Sequence, residues 1–531
     1  MLRKPSLMPK IPDFRALALT HGLDDRFAEG VLAEVRAFEA NPGTDDPKLA
    51  RLEHLPFVTV DGPTTRDLDQ ALHIEGDSAG FRLRYAIADA SYYVAPGSEI
   101  FGEALRRGAS FYMPGHSVPM LPRELSEGLV SLGPDVLRRA LVFDVRMDQR
   151  GTVVSFELVR ARIRSRARLT FDEVDGLLSQ TARSPLTGHE AAESLTLLGR
   201  VGRLRAEHDD RSQMVRYVRV EAGVRLTPDG QVEVVREPRG PAELANEQLS
   251  ILCNALGARW LADAHADFVQ PIYRVHAPPE PERLATFERL VRHVVRGRGL
   301  PDDPWVYRRA AALGMAAYLE RLPTAGPEER LGRALHRQAM VLNGRSSFSS
   351  EAASHFGVGE TVYSRFTAPM REMVGVFCHK EAIERLAGRG ERPREEDEAI
   401  RAQVIEAANR SKDVQRALDR DVTRAVIAVV LGADAARPLG ERPLRRGTVM
   451  GISKAVVHVH LDSPPLDVIA PLREQGQALG GAWLETVDDG ARLARRGSGE
   501  TVCALGDEVM VRAVGEGAVV IVTAETASVL R

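Results

Sequence analysis

Lysine is scarce in this 531-residue chain: six lysines stand against 65 arginines. Cysteine is scarcer, with only Cys253, Cys378 and Cys503, far apart and odd in number. That count excludes a disulfide framework and a cysteine-based zinc site, and it points to a reducing, cytoplasmic setting. No apolar run of about 18 residues is present, so no membrane-spanning helix is expected. The opening residues, MLRKPSLMPKIPDF, carry basic groups with no apolar core behind them, unlike a secretory signal. A strong net charge is also missing. The value of −3 does not rule out a polyanionic partner, because an acidic centre offsets basic surface in the sum. The arginine excess suits bidentate phosphate contact and base stacking, although a GC-rich coding bias produces the same excess.

What is present is an ordinary globular composition, 44% hydrophobic and 27% charged, on a chain too long for one core. The densest chemistry lies in Phe57–Ile74, FVTVDGPTTRDLDQALHI. Two apolar runs, Phe57–Val60 and Ala71–Ile74, read as strands around a turn at 61–65. Three carboxylates, Asp61, Asp67 and Asp69, lie between them. In extended backbone Asp67 and Asp69 share a face, and the turn can fold Asp61 back beside them. Clustered carboxylates repel one another unless a cation sits among them, and hard oxygen ligands in small number suit Mg²⁺. A solvated acidic turn has the same spelling.

Taken in order, residues 10–45 carry helical periodicity and end at Asn41-Pro42-Gly43. Strands dominate residues 81–89 and 140–166. The segment 119–126 is punctuated by prolines and reads as a shaped loop. A helix is expected over Glu99–Arg107 and another over 190–209, then a hairpin over 216–235 turning at Pro228-Asp229-Gly230. From Pro241 to about Val430 the pattern is mainly helical, broken at 268–277, 322–327 and 348–369. Composition shifts near 432–443, and short strands with Gly-rich turns over 445–531 suit a small β-barrel of the OB type. The fold class is therefore α+β, strands first and helices later.

Five segments in this order, FVTVDGPTTRDLDQAL, YAIADASYYV, YMPG-x-x-VPMLPRELSE, IYRVH and FTAPMR, resemble the ribonuclease II / ribonuclease R family. The resemblance covers roughly residues 50–385. It implies an RNB-type catalytic domain over 51–435, an OB-fold RNA-binding barrel over 436–531 and, ahead of them, a short helical segment over 1–50 without cold-shock domains. It also implies a Mg²⁺-dependent hydrolytic 3′→5′ exoribonuclease that degrades single-stranded RNA to nucleoside 5′-monophosphates. Neither a membrane nor an obligate protein partner is expected. Without cold-shock domains the RNA channel should open on one side, with better access to structured 3′ ends.

Residue by residue, the resemblance makes Asp61, Asp67 and Asp69 metal ligands and catalytic residues, with Gln70 at a fourth ligand position where the family has aspartate. It makes Arg371 the catalytic arginine that stabilises charge on the phosphate. Tyr112 becomes the aromatic that clamps terminal bases, and Phe171 stands where the family has tyrosine. Glu247, with Gln248 competing for the match, falls near a family glutamate that contacts sugar and base. Arg123, inside PRELSE, joins the substrate-binding set. Met373 and Gly375 depart from the family pattern after Arg371. The barrel lacks a clear aromatic platform beyond Trp483, so backbone contact by Arg445, Arg446, Arg492, Arg495 and Arg496 is expected. Gln70 brings no negative charge. The alternative is therefore a weakened or inactive member that binds or regulates RNA.

Overall fold

The computed structural model describes residues 12–179, 184–207, 221–226, 232–237, 239–263, 268–309, 314–515 and 517–523. Its centre is a six-stranded sheet. The spatial order is Ala50–Arg51, Val153–Thr170, Phe57–Asp61, Gln70–Gly76, Gly80–Ala88 and Leu137–Asp148. The eighteen-residue strand Val153–Thr170 has two partners in succession. Val153–Arg164 pairs antiparallel with Leu137–Met147, and Ser165–Thr170 pairs parallel with Phe57–Asp61, so the sheet closes on itself. The strands are apolar and β-branched where they face the core: Phe57, Val58, Leu83, Tyr85, Phe143 and Ile163 are fully buried. Helices Ala192–Ala206, Pro241–Ala262 and Met373–Ala387 supply further members of the same core.

The lead-in forms two helices, Phe14–Thr20 and Glu29–Ala40. Asp13 caps the first, accepting from the Ala16 amide at 2.9 Å. Glu34 places its carboxylate on the Glu99 and Ile100 amides, both at 3.0 Å, at the start of helix Glu99–Arg107. His21 meets Asp421 at 2.9 Å, tying the first helix to the 42-residue helix Arg394–Ala435.

After that helix, five strands are ordered Asp467–Pro471, Val456–Leu461, Arg445–Ile452, Glu508–Ala513 and Val519–Val522. A parallel bridge between Ile469 and Ala518 joins the two ends. Alternate residues Val457, Val459 and Leu461 face inward onto Val468 and Val511. Between the third and fourth strands in sequence lie a helix, Leu472–Ala478, and a three-stranded sheet of Leu484–Val487, Arg492–Arg495 and Thr501–Ala504.

Two expectations need correction. The proline-punctuated loop contains a π-helical turn, Glu124–Leu129, closed by the Val130 amide on the Leu125 carbonyl at 2.9 Å. Its prolines precede the turn, where a missing N–H costs nothing. The three-stranded sheet at 484–504 was not anticipated. The expected hairpin has strands Glu221–Leu226 and Val232–Glu237, and its turn at Pro228-Asp229-Gly230 lies outside the described residues.

Candidate active site

The acidic loop leaves the sheet at Asp61, the last residue of its strand and the register partner of Thr170. It rejoins at Gln70, whose strand pairs with Gly80–Ala88. Ser131 pins the loop from outside, accepting from the Leu68 amide at 3.1 Å and donating to the Arg66 carbonyl at 2.7 Å. The Asp69 carbonyl accepts from the Ala88 amide at 2.8 Å. These anchors fix the backbone from which the carboxylates project.

Asp69 is 2% exposed. Its two oxygens accept from the Met370 amide at 3.0 Å and from Arg371 Nε at 2.8 Å. Burial pushes its carboxyl up to about 7, outweighing the neighbouring Arg371 guanidinium, with Asp67 adding to the rise. Asp67 is raised as well, again by burial first, and accepts from the Tyr112 hydroxyl at 3.3 Å. Asp61 accepts from the Gly62 amide at 2.7 Å and from Thr65 Oγ1 at 2.9 Å. Tyr112 sits on the short strand Phe111–Met113 and is half-exposed. Two hydrogen-bonded pairs, Arg371–Asp69 and Tyr112–Asp67, thus act on each other through their charges, with Asp61 on the same loop.

The three aspartates do not converge on a point. Among the described residues, the trio whose oxygens all approach within 4.8 Å is Glu381, Glu384 and Asp397. The Lys380 ammonium already fills that trio, at 2.8, 2.9 and 2.7 Å. In the acidic loop the carboxylates are instead drawn apart onto Thr65, Tyr112 and Arg371. The donor set fits a hard divalent cation: three carboxylates, one of them buried and raised by that burial against the pull of Arg371.

Gln70 is engaged at both ends. Its Nε2 donates to the Thr367 carbonyl at 2.5 Å, and its Oε1 accepts from the Tyr85 hydroxyl, which also lies 3.0 Å from Asn246 Oδ1. The loop that presents Arg371 is pinned further by Asn254, which is fully buried. Asn254 Oδ1 accepts from the Phe366 amide at 2.6 Å and the Thr367 amide at 3.2 Å. Its Nδ2 donates to Tyr363 Oη at 3.1 Å and Thr367 Oγ1 at 3.0 Å. The only sequence signal for this role is a polar residue inside the apolar stretch ILCNALG.

The remaining expected residues are more dispersed. Phe171 opens helix Phe171–Leu178, packed against the core one residue after the partner of Asp61. Glu247 pairs with Arg239 at 3.3 Å, while the adjacent Asn246 is the residue that reaches Tyr85. Arg123 is exposed and bonded to Ser117 Oγ at 2.9 Å and to Glu127. Four of the barrel arginines already face carboxylates: Arg445–Asp434 at 2.6 Å, Arg446–Asp462 at 2.9 Å, Arg492–Asp488 at 2.6 Å and Arg495–Glu500 at 3.3 Å. Trp483 is 77% exposed, and its carbonyl accepts from the backbone amide of the exposed Arg496 at 2.8 Å.

These features define a class: an α+β domain with an aspartate–arginine site on its strand ends, followed by a small closed barrel. Residues 50–381 match the RNB domain, and the chain belongs to that family. Ribonuclease R of Vibrio parahaemolyticus is 30% identical over 388 residues, 70% of this chain and 43% of that protein. Exoribonuclease 2 of an Enterobacter species is 29% identical over 76% of this chain and 59% of its own length. The chain thus spans about two fifths to three fifths of these relatives. In fold it is similar to Mycoplasma genitalium RNase R, solved with ribose-methylated single-stranded RNA, with a TM-score of 0.83 and 20% identity over 96% of this chain and 78% of that one. Yeast Ssd1, a pseudonuclease, is more distant: TM-score 0.63 and 14% identity over 84% of this chain and 52% of that one. Among the described residues no helix is long and apolar enough to cross a membrane.

Proposed function

We propose that the chain is a divalent-metal-dependent hydrolytic 3′→5′ exoribonuclease that degrades single-stranded RNA to nucleoside 5′-monophosphates. The observation that carries this reading is Arg371 held on the buried Asp69, with the Asp67–Tyr112 pair within reach of the same guanidinium's charge. Asp61, Asp67 and Asp69 would hold Mg²⁺, which supplies an activated water and neutralises phosphate charge. Arg371 keeps Nη donors free of Asp69, because Asp69 takes Nε, and these suit nonbridging phosphate oxygens. The exposed Tyr112 ring offers a flat face for terminal bases of any sequence. Phe171, Glu247 and Arg123 extend the substrate contacts.

Residues 51–435 form the catalytic unit in this reading, 436–531 an OB-type RNA-binding barrel, and 1–50 a helical lead-in. The barrel's strand order and its closure at Ile469–Ala518 support the OB assignment. Its ion-paired arginines shift the expected RNA contact toward Trp483 and Arg496. A cytoplasmic setting fits three free, buried cysteines.

A second reading, a catalytically silent RNA-binding member, is favoured by Gln70, whose amide is committed to Thr367 and Tyr85 rather than open to a metal. One experiment separates the two. A hairpin RNA with a single-stranded 3′ tail is incubated with and without Mg²⁺. The enzyme reading predicts Mg²⁺-dependent release of 5′-mononucleotides, and loss of release but not of RNA binding in Asp69→Asn. Normal turnover by Asp69→Asn, or binding without release by the wild type, refutes it.

A further inference from the structure

A cavity of about 250 Å³ adjoins Arg371, and none of Asp61, Asp67 and Asp69 lines it. Tyr112, Arg371, Arg365, Lys412 and one carboxylate, Glu372, are among its lining residues, with Ser411 and Gln415. Positive charge collects here. Arg365 is answered by both oxygens of Glu372, at 2.6 and 3.0 Å. Lys412 in the wall and Arg274 behind it are not answered in this way. Among the described residues neither has a carboxylate within ion-pairing distance. Arg274 Nε reaches Ser346 Oγ at 3.3 Å, and Lys412 Nζ reaches the Ser346 carbonyl and hydroxyl at 3.4 Å, long for a charged donor. The Phe348 ring, 4.2 Å from the ammonium, gives the remaining support. Burial, with Arg274 adding to it, holds Lys412 down at about 7.

We propose that this pocket binds a phosphate monoester dianion, with Lys412 and Arg371 as its cationic contacts. The site rests on the cavity and its unanswered charges. The identity of the ligand, the 5′-phosphate of the released mononucleotide, rests on the activity proposed above. Hydrolysis of a phosphodiester, which carries one negative charge, yields a monoester that carries two near neutral pH. Lys412 and Arg371 attract the added charge. Arg371 lines the cavity and touches Asp69, so it can hold the phosphate through the transfer. The pocket would then draw product off the carboxylates.

The test is calorimetric binding of AMP, inorganic phosphate and adenosine to the full chain without added metal, so that metal–phosphate contact does not contribute. AMP is expected to bind at least tenfold tighter than adenosine. Lys412→Met should weaken AMP about tenfold, and Lys412→Arg should restore it to within about threefold, as expected for one charge-assisted hydrogen bond in a partly desolvated pocket. A second measurement needs no variant. The chain has six lysines, so acylation of Lys412 is readily followed by peptide mapping. AMP should slow that labelling severalfold, adenosine should not, and the exposed Lys454 should be unaffected by either. Equal AMP affinity in wild type and Lys412→Met, or no protection of Lys412, overturns the site. Inorganic phosphate binding as tightly as AMP overturns the mononucleotide as its ligand. Lys412-dependent AMP binding in a protein that releases nothing from RNA overturns the activity and leaves the anion site standing.

Discussion

Replacing Asn254 with alanine should loosen the arginine loop without disturbing the sheet. The side chain is fully buried and serves four groups at once. Two of them, the hydroxyls of Tyr363 and Thr367, can rotate, and Thr367 Oγ1 keeps Ser250 Oγ at 2.8 Å. The amides of Phe366 and Thr367 cannot turn to a new acceptor. Each buried N–H left without a partner costs about 1–3 kcal/mol, so the pair should lose about 3 kcal/mol of local stability once a water partly fills the space. At about 1.4 kcal/mol per factor of ten, their hydrogen exchange should quicken on the order of a hundredfold. Exchange in the strand Gly80–Ala88 should stay as in the wild type. Since Arg371 lies four residues beyond Thr367, turnover should fall while KM for RNA changes little. Exchange at 366 and 367 within threefold of wild type, together with normal turnover, would show that the loop does not depend on Asn254.

Gln70→Asp should raise Mg²⁺ affinity by adding a carboxylate, yet lower the melting temperature. Aspartate cannot donate to the Thr367 carbonyl, a loss of about 1–3 kcal/mol; a Mg²⁺ titration followed by calorimetry reads both effects. His379 and His355 are held down at about 4 and about 3, chiefly by burial, so both are neutral in the folded chain at pH 7. Between about pH 6.5 and 4 the unfolded chain binds protons that these folded histidines refuse, and stability should fall as pH drops through that window. His379→Gln can still donate to the Phe366 carbonyl, the partner of His379 Nε2 at 2.9 Å, and should lose less melting temperature between pH 7.5 and 5.5. An unchanged pH dependence in that variant would contradict the burial argument.

The strands around the acidic loop are legible because β-branched and apolar runs flank Asp, Gly and Pro, and they appear at Phe57–Asp61 and Gln70–Gly76. The helix Arg394–Ala435 lies largely within the mainly helical stretch to about Val430, but its single 42-residue run is not legible there. The split pairing of Val153–Thr170 is not legible either, because nothing in its alternation names two partners. The strands at 484–504 are four residues each, below the length at which alternation is informative. At the site, the family resemblance singles out Asp69, Arg371 and Tyr112, and the structure gives each a partner there. The pairings themselves are not legible. Asn254 acts on residues more than a hundred positions away, and the commitment of Gln70 depends on Tyr85 and a backbone carbonyl at 367. The carboxylate partners of Arg445, Arg446, Arg492 and Arg495 are likewise not legible in the barrel sequence.

The self-pairing of the central sheet has a consequence for how the molecule survives in a crowded solution. A sheet with open margins presents rows of unpaired N–H and C=O groups that template aggregation. Here the strand Val153–Thr170 takes up both margins: Leu137–Asp148 on one side, Phe57–Asp61 on the other. The most β-prone sequence in the chain, which also bears the candidate site, therefore offers another molecule almost no backbone to grasp, and the acidic loop needs no flanking charge to guard it.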